Sequence, residues 1–306
     1  MKTGAHLLIG KGLVSTLDAA VSLHCDCIQL FLHNPRGWQR KPRHDSELDS
    51  FREAAAEKKI SPVAIHMPYL VNLATDDRDV RIKSLRVLEI ELSESEKMGA
   101  SYYVIHPGSH RGMGIKKGIE NVASGLKSFN GGQVRILLEN TAGQGDSVGS
   151  RWNELGSIID KLHGKAGVCF DTAHAFESGY DIRNPDFLDA MKREIEKSLG
   201  LRYILLIHAN DSLTLKGSNV DRHQHIGRGR IGLKGFENLV MDDWFGSLPY
   251  IIETPKGSAC DDKNNLKILR KLGEKYGKIQ VQGDRGKVAG RMGKIGSKQG
   301  KVSQGQ

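Results

Sequence analysis

Six short apolar runs in this sequence each end on a residue type that commonly binds metal ions. Successive run ends are 32 to 45 positions apart. A strand and its crossover helix together take roughly 30 or more residues, so each run is predicted to be one buried strand. The ends of parallel strands meet at one edge of a sheet or barrel. The pattern therefore predicts one polar cluster built from His66, His106, Glu139, Asp171, His208 and Glu253.

Three more candidate ligands lie just beyond predicted strand ends. His174 follows Asp171 by three positions, which brings the two side chains together if the chain turns helically there, and Asp221 and His223 are separated by one residue. Nitrogen and oxygen ligands without thiolates suit zinc, manganese or iron. Nine ligands are too many for one tetrahedral ion, so we expect two or three ions with a bridging carboxylate. Such sites hydrolyse phosphodiesters well, because the ions activate water and balance anionic oxygens.

The elements that must position these residues alternate between strands and helices. The predicted strands are at about 6–10, 27–31, 63–67, 102–106, 134–139, 167–171, 203–208 and 249–253. Residues 79–98 form the clearest helix, and helical stretches are followed by capping glycines at Gly99, Gly164, Gly200 and Gly277. Eight such units predict a parallel (β/α)8 TIM barrel. A doubly wound open sheet is the competing α/β fold, but it would not bring six strand ends into one ring.

We predict one catalytic barrel domain at 1–277 and a separate tail at 278–306. After Tyr276 the sequence becomes rich in Gly, Lys, Gln and Ser, which predicts disorder. The tail carries seven Lys or Arg and one acidic residue, a net charge of +6 out of +9 for the chain. Because basic segments attract polyanions, we expect it to add nonspecific affinity for DNA. The alternative is a solvated end that only improves solubility.

Composition narrows the class of protein. The longest apolar stretches have about five residues, whereas roughly 20 are needed to cross a bilayer. The first residues show no secretory signal, and the four cysteines form neither a CxxC pair nor a disulfide framework. These features predict a cytoplasmic protein with no membrane partner.

Six segments together resemble endonuclease IV, the family-2 apurinic/apyrimidinic endonuclease of base-excision repair. They are HMPY at 66–69, HPGSH at 106–110, LLENTAGQG at 137–145, GVCFDTAHAFESGYD at 167–181, HANDS at 208–212 and VDRHQHIGRG at 220–229. The likeness runs from roughly residue 3 to residue 276, in the order of the family. It implies a TIM barrel of the xylose-isomerase-like superfamily that holds three zinc ions, with manganese as a partial substitute.

The resemblance also assigns the nine residues to individual ions. The first ion would be held by His66, His106 and Glu139, and Glu139 would bridge to the second, which is completed by Asp171, His208 and Glu253. The third would be held by His174, Asp221 and His223. Glu139 and Glu253 would be the catalytic carboxylates of the cluster, and a metal-bound hydroxide would attack the phosphate 5′ to an abasic site in duplex DNA. The implied products are a 3′-hydroxyl and a 5′-deoxyribose phosphate; we expect a monomer without a nucleotide cofactor.

Three residues match positions that contact DNA in the family. Arg36, in the segment FLHNPRGWQRK, would enter the minor groove, and Tyr69 and Leu70 would fill the gap left when the abasic nucleotide flips out. Flipping costs least where base pairing is already lost, and apolar wedges stabilise a kinked duplex. The structural alternative is that Tyr69 and Leu70 only pack the top of the barrel.

Two other functions use some of the same residues. A divalent-metal sugar isomerase or epimerase of the same superfamily would share the strand-end Glu, Asp and His, but such sites hold one or two ions and lack the set His174, Asp221 and His223. A non-catalytic DNA-binding module would bind abasic duplex without cutting it, and would leave the complete ligand set unexplained.

Overall fold

The structure, a computed structural model, describes residues 1–129, 132–258 and 260–292, except for the side chains of residues 276 and 278–292. The strands are β1 (Thr3–Leu7), β2 (Cys27–Leu30), β3 (Val63–His66), β4 (Tyr102–Ile105), β5 (Arg135–Glu139), β6 (Gly167–Asp171), β7 (Ile204–His208), β8 (Asp211–Ser212), β9 (His223–Gln224) and β10 (Tyr250–Ile252). The helices are α1 (Leu13–Ser22), α2 (Asp45–Glu57), α3 (Arg78–Lys97), α4 (Ile115–Leu126), α5 (Trp152–Lys161), α6 (Thr172–Glu177), α7 (Pro185–Ser198), α8 (Gly232–Met241) and α9 (Asp261–Met292).

Eight parallel strands close into a barrel in the order β1 to β7 and then β10, which pairs back to β1. The short strands β8 and β9 form an antiparallel pair outside the barrel. The predicted TIM barrel is confirmed. Because the strands are parallel and the barrel is closed, their carboxyl ends surround one common opening, as the arrangement of the candidate ligands requires.

The barrel interior is filled by one small or apolar residue from each strand. Gly4 of β1 is in register with Cys27 and Ile251, and a Cβ on Gly4 would lie 1.8 Å from the carbonyl oxygen of Cys27. Only glycine therefore fits at this position. The other seven strands contribute a separate buried cluster consisting of Cys27, Ala64, Val104, Leu137, Cys169, Leu206 and Ile251.

The next inward-facing position on each strand begins the polar site. Successive side chains of a strand point to opposite faces, so the residue two positions beyond each member of the interior layer also points into the barrel. We call these eight residues the polar ring: His6, Gln29, His66, His106, Glu139, Asp171, His208 and Glu253. The outward-facing apolar residues pack against the helices in the main core, where Phe170 stacks on Phe245 with ring centroids 5.3 Å apart.

Two element boundaries differ from the sequence prediction. The first strand is Thr3–Leu7 rather than 6–10, because backbone pairing starts at Thr3 with β10 and at Gly4 with β2, whereas Leu8 is 72% exposed. Gly277 does not end a helix, since α9 continues to Met292; a glycine inside a helix costs only about 1 kcal/mol. The domain boundary at 277 stays a prediction, and residues 293–306 of the predicted tail lie outside the described residues.

The other glycine caps agree with the prediction. Gly99, Gly164 and Gly200 all have positive φ angles, between 73° and 90°, as left-handed residues that end helices do. Within the ranges that the structure describes, no helix is both long enough and apolar enough to span a membrane.

Candidate metal centre

Five members of the polar ring line the floor of an open cavity at the carboxyl ends of the barrel strands: His6, His66, His106, Glu139 and Glu253. The cavity has a volume of about 640 Å³, and its walls include Tyr69, His174, Asp221 and His223. Several members of the ring are completely buried, among them Glu139, Asp171 and His208. Buried charged groups are stable only when they are paired or bind metal ions. The floor of this cavity therefore requires internal charge balance.

The first group of ligand atoms comes from β3, β5 and the end of β4. Atoms of His66, His106 and Glu139 all lie within 4.8 Å of one another. Glu139 Oε2 is 3.0 Å from His66 Nε2 and 3.3 Å from His106 Nε2. His66 Nδ1 is 2.8 Å from the carbonyl oxygen of Met67, which only accepts, so Nδ1 carries a proton. In the neutral ring, Nε2 then presents a lone pair to the Glu139 carboxylate, which is favourable only with a cation between them.

The second group shares Glu139 with the first. It consists of Glu139, Asp171, His208 and Glu253, again with ligand atoms within 4.8 Å of one another. His208 Nδ1 is 3.0 Å from Glu139 Oε1 and 3.1 Å from Glu253 Oε2. The two oxygens of Glu139 thus face different sets of imidazoles. This is the position of a carboxylate that bridges two ions.

The third group is built from segments that follow β6 and β7. Asp171 ends β6 and also caps α6, where its side chain accepts a hydrogen bond from the backbone N–H of His174 at 2.8 Å. The helical turn that brings Asp171 and His174 together is therefore present. Ligand atoms of Asp171, His174 and His223 lie within 4.8 Å of one another. The carboxylate of Asp221 adjoins this set, 3.3 Å from His174 Nε2 and 3.5 Å from His223 Nε2.

These groups fit divalent metal ions. A zinc–nitrogen bond of about 2.0 Å in a tetrahedral site separates neighbouring ligand atoms by about 3.3 Å. The nitrogen–oxygen separations found here run from 3.0 Å between His66 and Glu139 to 3.8 Å between His174 and Asp171, and they bracket that value. His223 Nε2 is buried and has no hydrogen-bond partner in the part of the chain that the structure describes. A nitrogen left without a partner in this way is suited to bind an ion.

The carboxylates of the cluster are held in the charged form. Burial alone would raise the pKa of Glu139, but the charges of His106 and His208 outweigh burial and hold that pKa well below its usual range. Burial likewise opposes ionisation of Glu253, yet His208 lowers its pKa. The pKa of His174 is raised well above its usual range because Asp171 and Asp221 together outweigh burial. Ions that bind here would replace imidazolium protons as the balancing charge.

Known proteins resemble this chain in both sequence and fold. The family described as xylose isomerase-like TIM barrel matches residues 17–272. The probable endonuclease 4 of Halothermothrix orenii is 39% identical over 277 residues, which are 89% of this chain and 100% of that protein. The crystal structure of endonuclease IV from Thermus thermophilus has a TM-score of 0.81 at 31% identity, and the match covers 90% of this chain and 100% of that one. The chain belongs to the endonuclease IV family.

As a member of the endonuclease IV family, the chain is a hydrolase of the nuclease class and a metal-binding protein. The same barrel occurs in proteins of other function: the structure of a D-tagatose 3-epimerase-like protein has a TM-score of 0.69 at 18% identity. At that identity the similarity concerns the fold alone.

Two of the three residues predicted to contact DNA line the cavity. Tyr69 is 65% exposed and its ring meets that of Phe31 edge-on at 5.3 Å, while Leu70 is half-buried beside it. Arg36 is exposed in the loop between β2 and α2, where its backbone N–H donates to Asn34 Oδ1 at 3.0 Å. Contact of these endonuclease IV residues with DNA stays a prediction.

The sequence analysis missed four polar residues that hold the candidate ligands. His6 Nδ1 is 2.9 Å from Glu253 Oε1, and Gln29 Nε2 donates to the same oxygen at 2.6 Å. Asn210 Nδ2 donates to Asp171 Oδ2 at 2.6 Å, and Asn140 Nδ2 donates to the carbonyl oxygen of Asp171. His6 was missed because the first strand was placed too late. Gln29 had a usable signal, since it is the single polar residue in the buried run CIQL.

Proposed function

We propose that this chain hydrolyses the phosphodiester on the 5′ side of abasic sites in duplex DNA during base-excision repair, leaving a 3′-hydroxyl and a 5′-deoxyribose phosphate. The main support is the position of Glu139. Its two carboxylate oxygens face separate sets of ligand atoms on the floor of an open cavity. A bridging carboxylate between ions suits the displacement of one phosphate oxygen by another.

Three zinc ions would be held in this proposal, with manganese as a partial substitute. His66, His106 and Glu139 would hold one ion, and Glu139 would share a second with Asp171, His208 and Glu253. His174, Asp221 and His223 would hold the third. When bound, such ions activate water for attack on phosphorus and offset the negative charge of the phosphate oxygens. The chain's own contribution is to fix the separation of these groups and keep their carboxylates ionised.

The walls of the cavity would select the abasic site. Tyr69 and Leu70 would occupy the space left by the flipped nucleotide, since an exposed aromatic ring beside an apolar side chain can replace lost base stacking. Arg36 would enter the minor groove from the neighbouring loop. Lys256 also lines the cavity, where its Nζ donates to the carbonyl oxygen of His6 at 2.6 Å and pairs with Asp262 at 2.9 Å.

An incision assay on a synthetic abasic duplex tests the proposal. We expect cutting without added magnesium, products that a polymerase extends from the 3′-hydroxyl, and slow loss of activity on strong chelation. An otherwise identical duplex with a normal base pair is the control. Cutting on the 3′ side, or no cutting by protein that contains its metal ions, would refute the proposal.

Metal analysis separates this proposal from the sugar isomerase or epimerase. About three zinc ions per chain are expected here, whereas one or two exchangeable manganese or magnesium ions would favour the sugar enzyme. The set of His174, Asp221 and His223 argues for the nuclease because it adds ligand atoms beside the group around His208, which a sugar enzyme with one or two ions would not need. Monomeric state, cytoplasmic location and the absence of a nucleotide cofactor stay predictions.

A further inference from the structure

Gln29 is the one member of the polar ring whose side chain carries no titratable group. It lies on β2, is fully buried, and reaches two candidate ligands at once. Its Nε2 is 2.6 Å from Glu253 Oε1, and its Oε1 is 2.8 Å from His208 Nε2. Glu253 and His208 belong to the same group of ligand atoms. One amide therefore connects two residues that are 45 positions apart in the sequence.

The hydrogen-bond chemistry of this connection has one consistent solution. The carboxylate of Glu253 only accepts hydrogen bonds, so the end of the amide that faces it at 2.6 Å must be the NH₂ group. The amide oxygen then faces His208, which means that His208 Nε2 must donate a proton. In the neutral ring, Nδ1 then carries the lone pair. Nδ1 is the nitrogen that lies 3.0 Å from Glu139 and 3.1 Å from Glu253.

The same amide also determines which oxygen of Glu253 is free. Glu253 Oε1 lies 2.6 Å from Gln29 Nε2 and 2.9 Å from His6 Nδ1. These two contacts hold Oε1 on the side of the carboxylate that faces away from the ligand group. Oε2 points the other way, toward His208 Nδ1. Glu253 therefore offers one oxygen to the ligand group while the other is held by the wall of the barrel.

We propose that Gln29 is a positioning residue for the metal centre: its amide fixes the tautomer of His208 and the orientation of Glu253 together. This inference rests on the proposed metal centre, and it assigns to β2 a part in the site although that strand supplies none of the nine candidate ligands. Second partners of this kind orient metal ligands, and their loss costs about 10- to 100-fold in metal affinity. A hydrocarbon side chain at position 29 would leave His208 free to change tautomer and Glu253 free to rotate.

Chelator competition on the metal-loaded protein tests the effect on binding. Gln29→Met keeps the length of the side chain and removes both hydrogen bonds. We expect one equivalent of metal to leave the variant at about 10- to 100-fold lower chelator concentration than in the parent, while the other equivalents leave as before. On abasic duplex, kcat should fall and KM should stay unchanged, because Gln29 is buried beneath the cavity. Thr16→Val, which removes a buried hydroxyl bonded to the carbonyl oxygen of Gly12, is the matched control. It should change neither the chelator concentration at which metal leaves nor kcat.

Nitrogen-15 NMR of labelled histidines tests the tautomer directly. In the loaded parent, His208 Nε2–H should give a downfield signal that exchanges slowly with water, because Gln29 accepts its hydrogen bond. The signal should broaden or vanish in Gln29→Met and persist in Gln29→Glu, whose carboxyl accepts from His208 with one oxygen and, with a proton on the other, still donates to Glu253 Oε1. An unprotected signal in Gln29→Glu, or unchanged metal release in Gln29→Met, would overturn the inference. A parent protein that binds no ions would instead refute the proposed metal centre.

Discussion

Among the single residues of the site, Glu139 has the most demanding environment. It is completely buried, and four imidazoles surround its two oxygens: His66, His106, His174 and His208. The charges of His106 and His208 and the hydrogen bonds of His174 and His208 hold its pKa well below the usual range in spite of burial. If a neutral side chain replaces a charged carboxylate that two groups of ligand atoms share, both groups should lose affinity for metal ions.

Replacing Glu139 by Gln should therefore abolish both metal binding at the shared position and incision. We expect the incision rate to fall by more than about 100-fold, beyond what loss of a supporting hydrogen bond costs. Incision kinetics and metal content, measured on the same preparations, check this. Glu154→Gln is a control of the same chemistry, since Glu154 only accepts backbone N–H groups at Gly149 and Ser150. Incision retained in Glu139→Gln would contradict the bridging role.

A second single residue, Glu177, is expected to make the stability of the protein depend on pH. Burial raises its pKa to about 7, because the hydrogen bonds from Ser212 and from the backbone N–H of Arg222 offset only part of the cost. Between pH 4.5 and about 7 the folded protein keeps a proton that the unfolded chain has released, so stability falls as pH rises through this window. In Glu177→Gln this loss should be absent.

Denaturant unfolding of parent and variant across this pH range measures the effect. The free energy of unfolding of Glu177→Gln, relative to the parent, should rise between pH 4.5 and about 7 and level off above that. Groups that behave alike in both proteins cancel in this difference, which leaves the contribution of Glu177 and of its coupling to His174 and Asp171. A difference between Glu177→Gln and the parent that stays constant with pH would show that the carboxyl of Glu177 is not perturbed.

At the scale of elements, the loops contribute candidate site residues in addition to those on the barrel strands. The barrel strands position the polar ring, but Asp221 and His223 come from the segment around β9, and Arg36 from the loop at 31–44. That loop is attached to α3 by buried charges: Arg40 Nε is 2.7 Å from Glu91 Oε1, and His33 Nε2 is 2.7 Å from Glu94 Oε2. The attachment fixes the base of the loop that presents Arg36.

Breaking the buried pair should destabilise the protein. Arg40 and Glu91 have side chains only 2% and 0% exposed, so Glu91→Gln leaves an uncompensated charge in the interior. We expect the free energy of unfolding to fall by about 3 kcal/mol, as measured by denaturant unfolding, with faster hydrogen exchange in the loop. Asp45→Asn removes an exposed pair between α2 and the same helix and should have little effect. Equal effects of the two changes would show that the buried pair does not hold the loop.

On the scale of the whole molecule, charge is unevenly divided along the chain. Residues 278–306 carry +6, which leaves +3 for the rest. The barrel contains the candidate metal centre and the cavity, and in our proposal the basic segment would add attraction to any stretch of DNA, because each phosphate contact releases a counterion. Specificity for the lesion and general affinity for DNA would then come from different parts of the molecule.

Deleting residues 278–306 should weaken binding to DNA mainly at low salt. We expect the slope of log affinity against log salt to become shallower, by up to about five if every net charge contacts a phosphate, while metal content and lesion preference stay unchanged. Fluorescence anisotropy at several salt concentrations, with abasic and intact duplexes, measures both. A deletion variant with the parent's affinity and salt slope would support the solubility alternative.

Sequence alone determined the barrel and the ligand types, because both follow from local rules. Strand periodicity and crossover spacing predicted a TIM barrel, and His66, His106, Glu139, Asp171, His208 and Glu253 were found at strand ends from their positions alone. Only the tertiary structure decided which ligands share a group, since closure of the barrel brings distant residues together. It also placed His6 and Gln29 in the polar ring, because the pairing of β1 with β2 and the closure of the barrel decide which side chains of these strands meet at its centre.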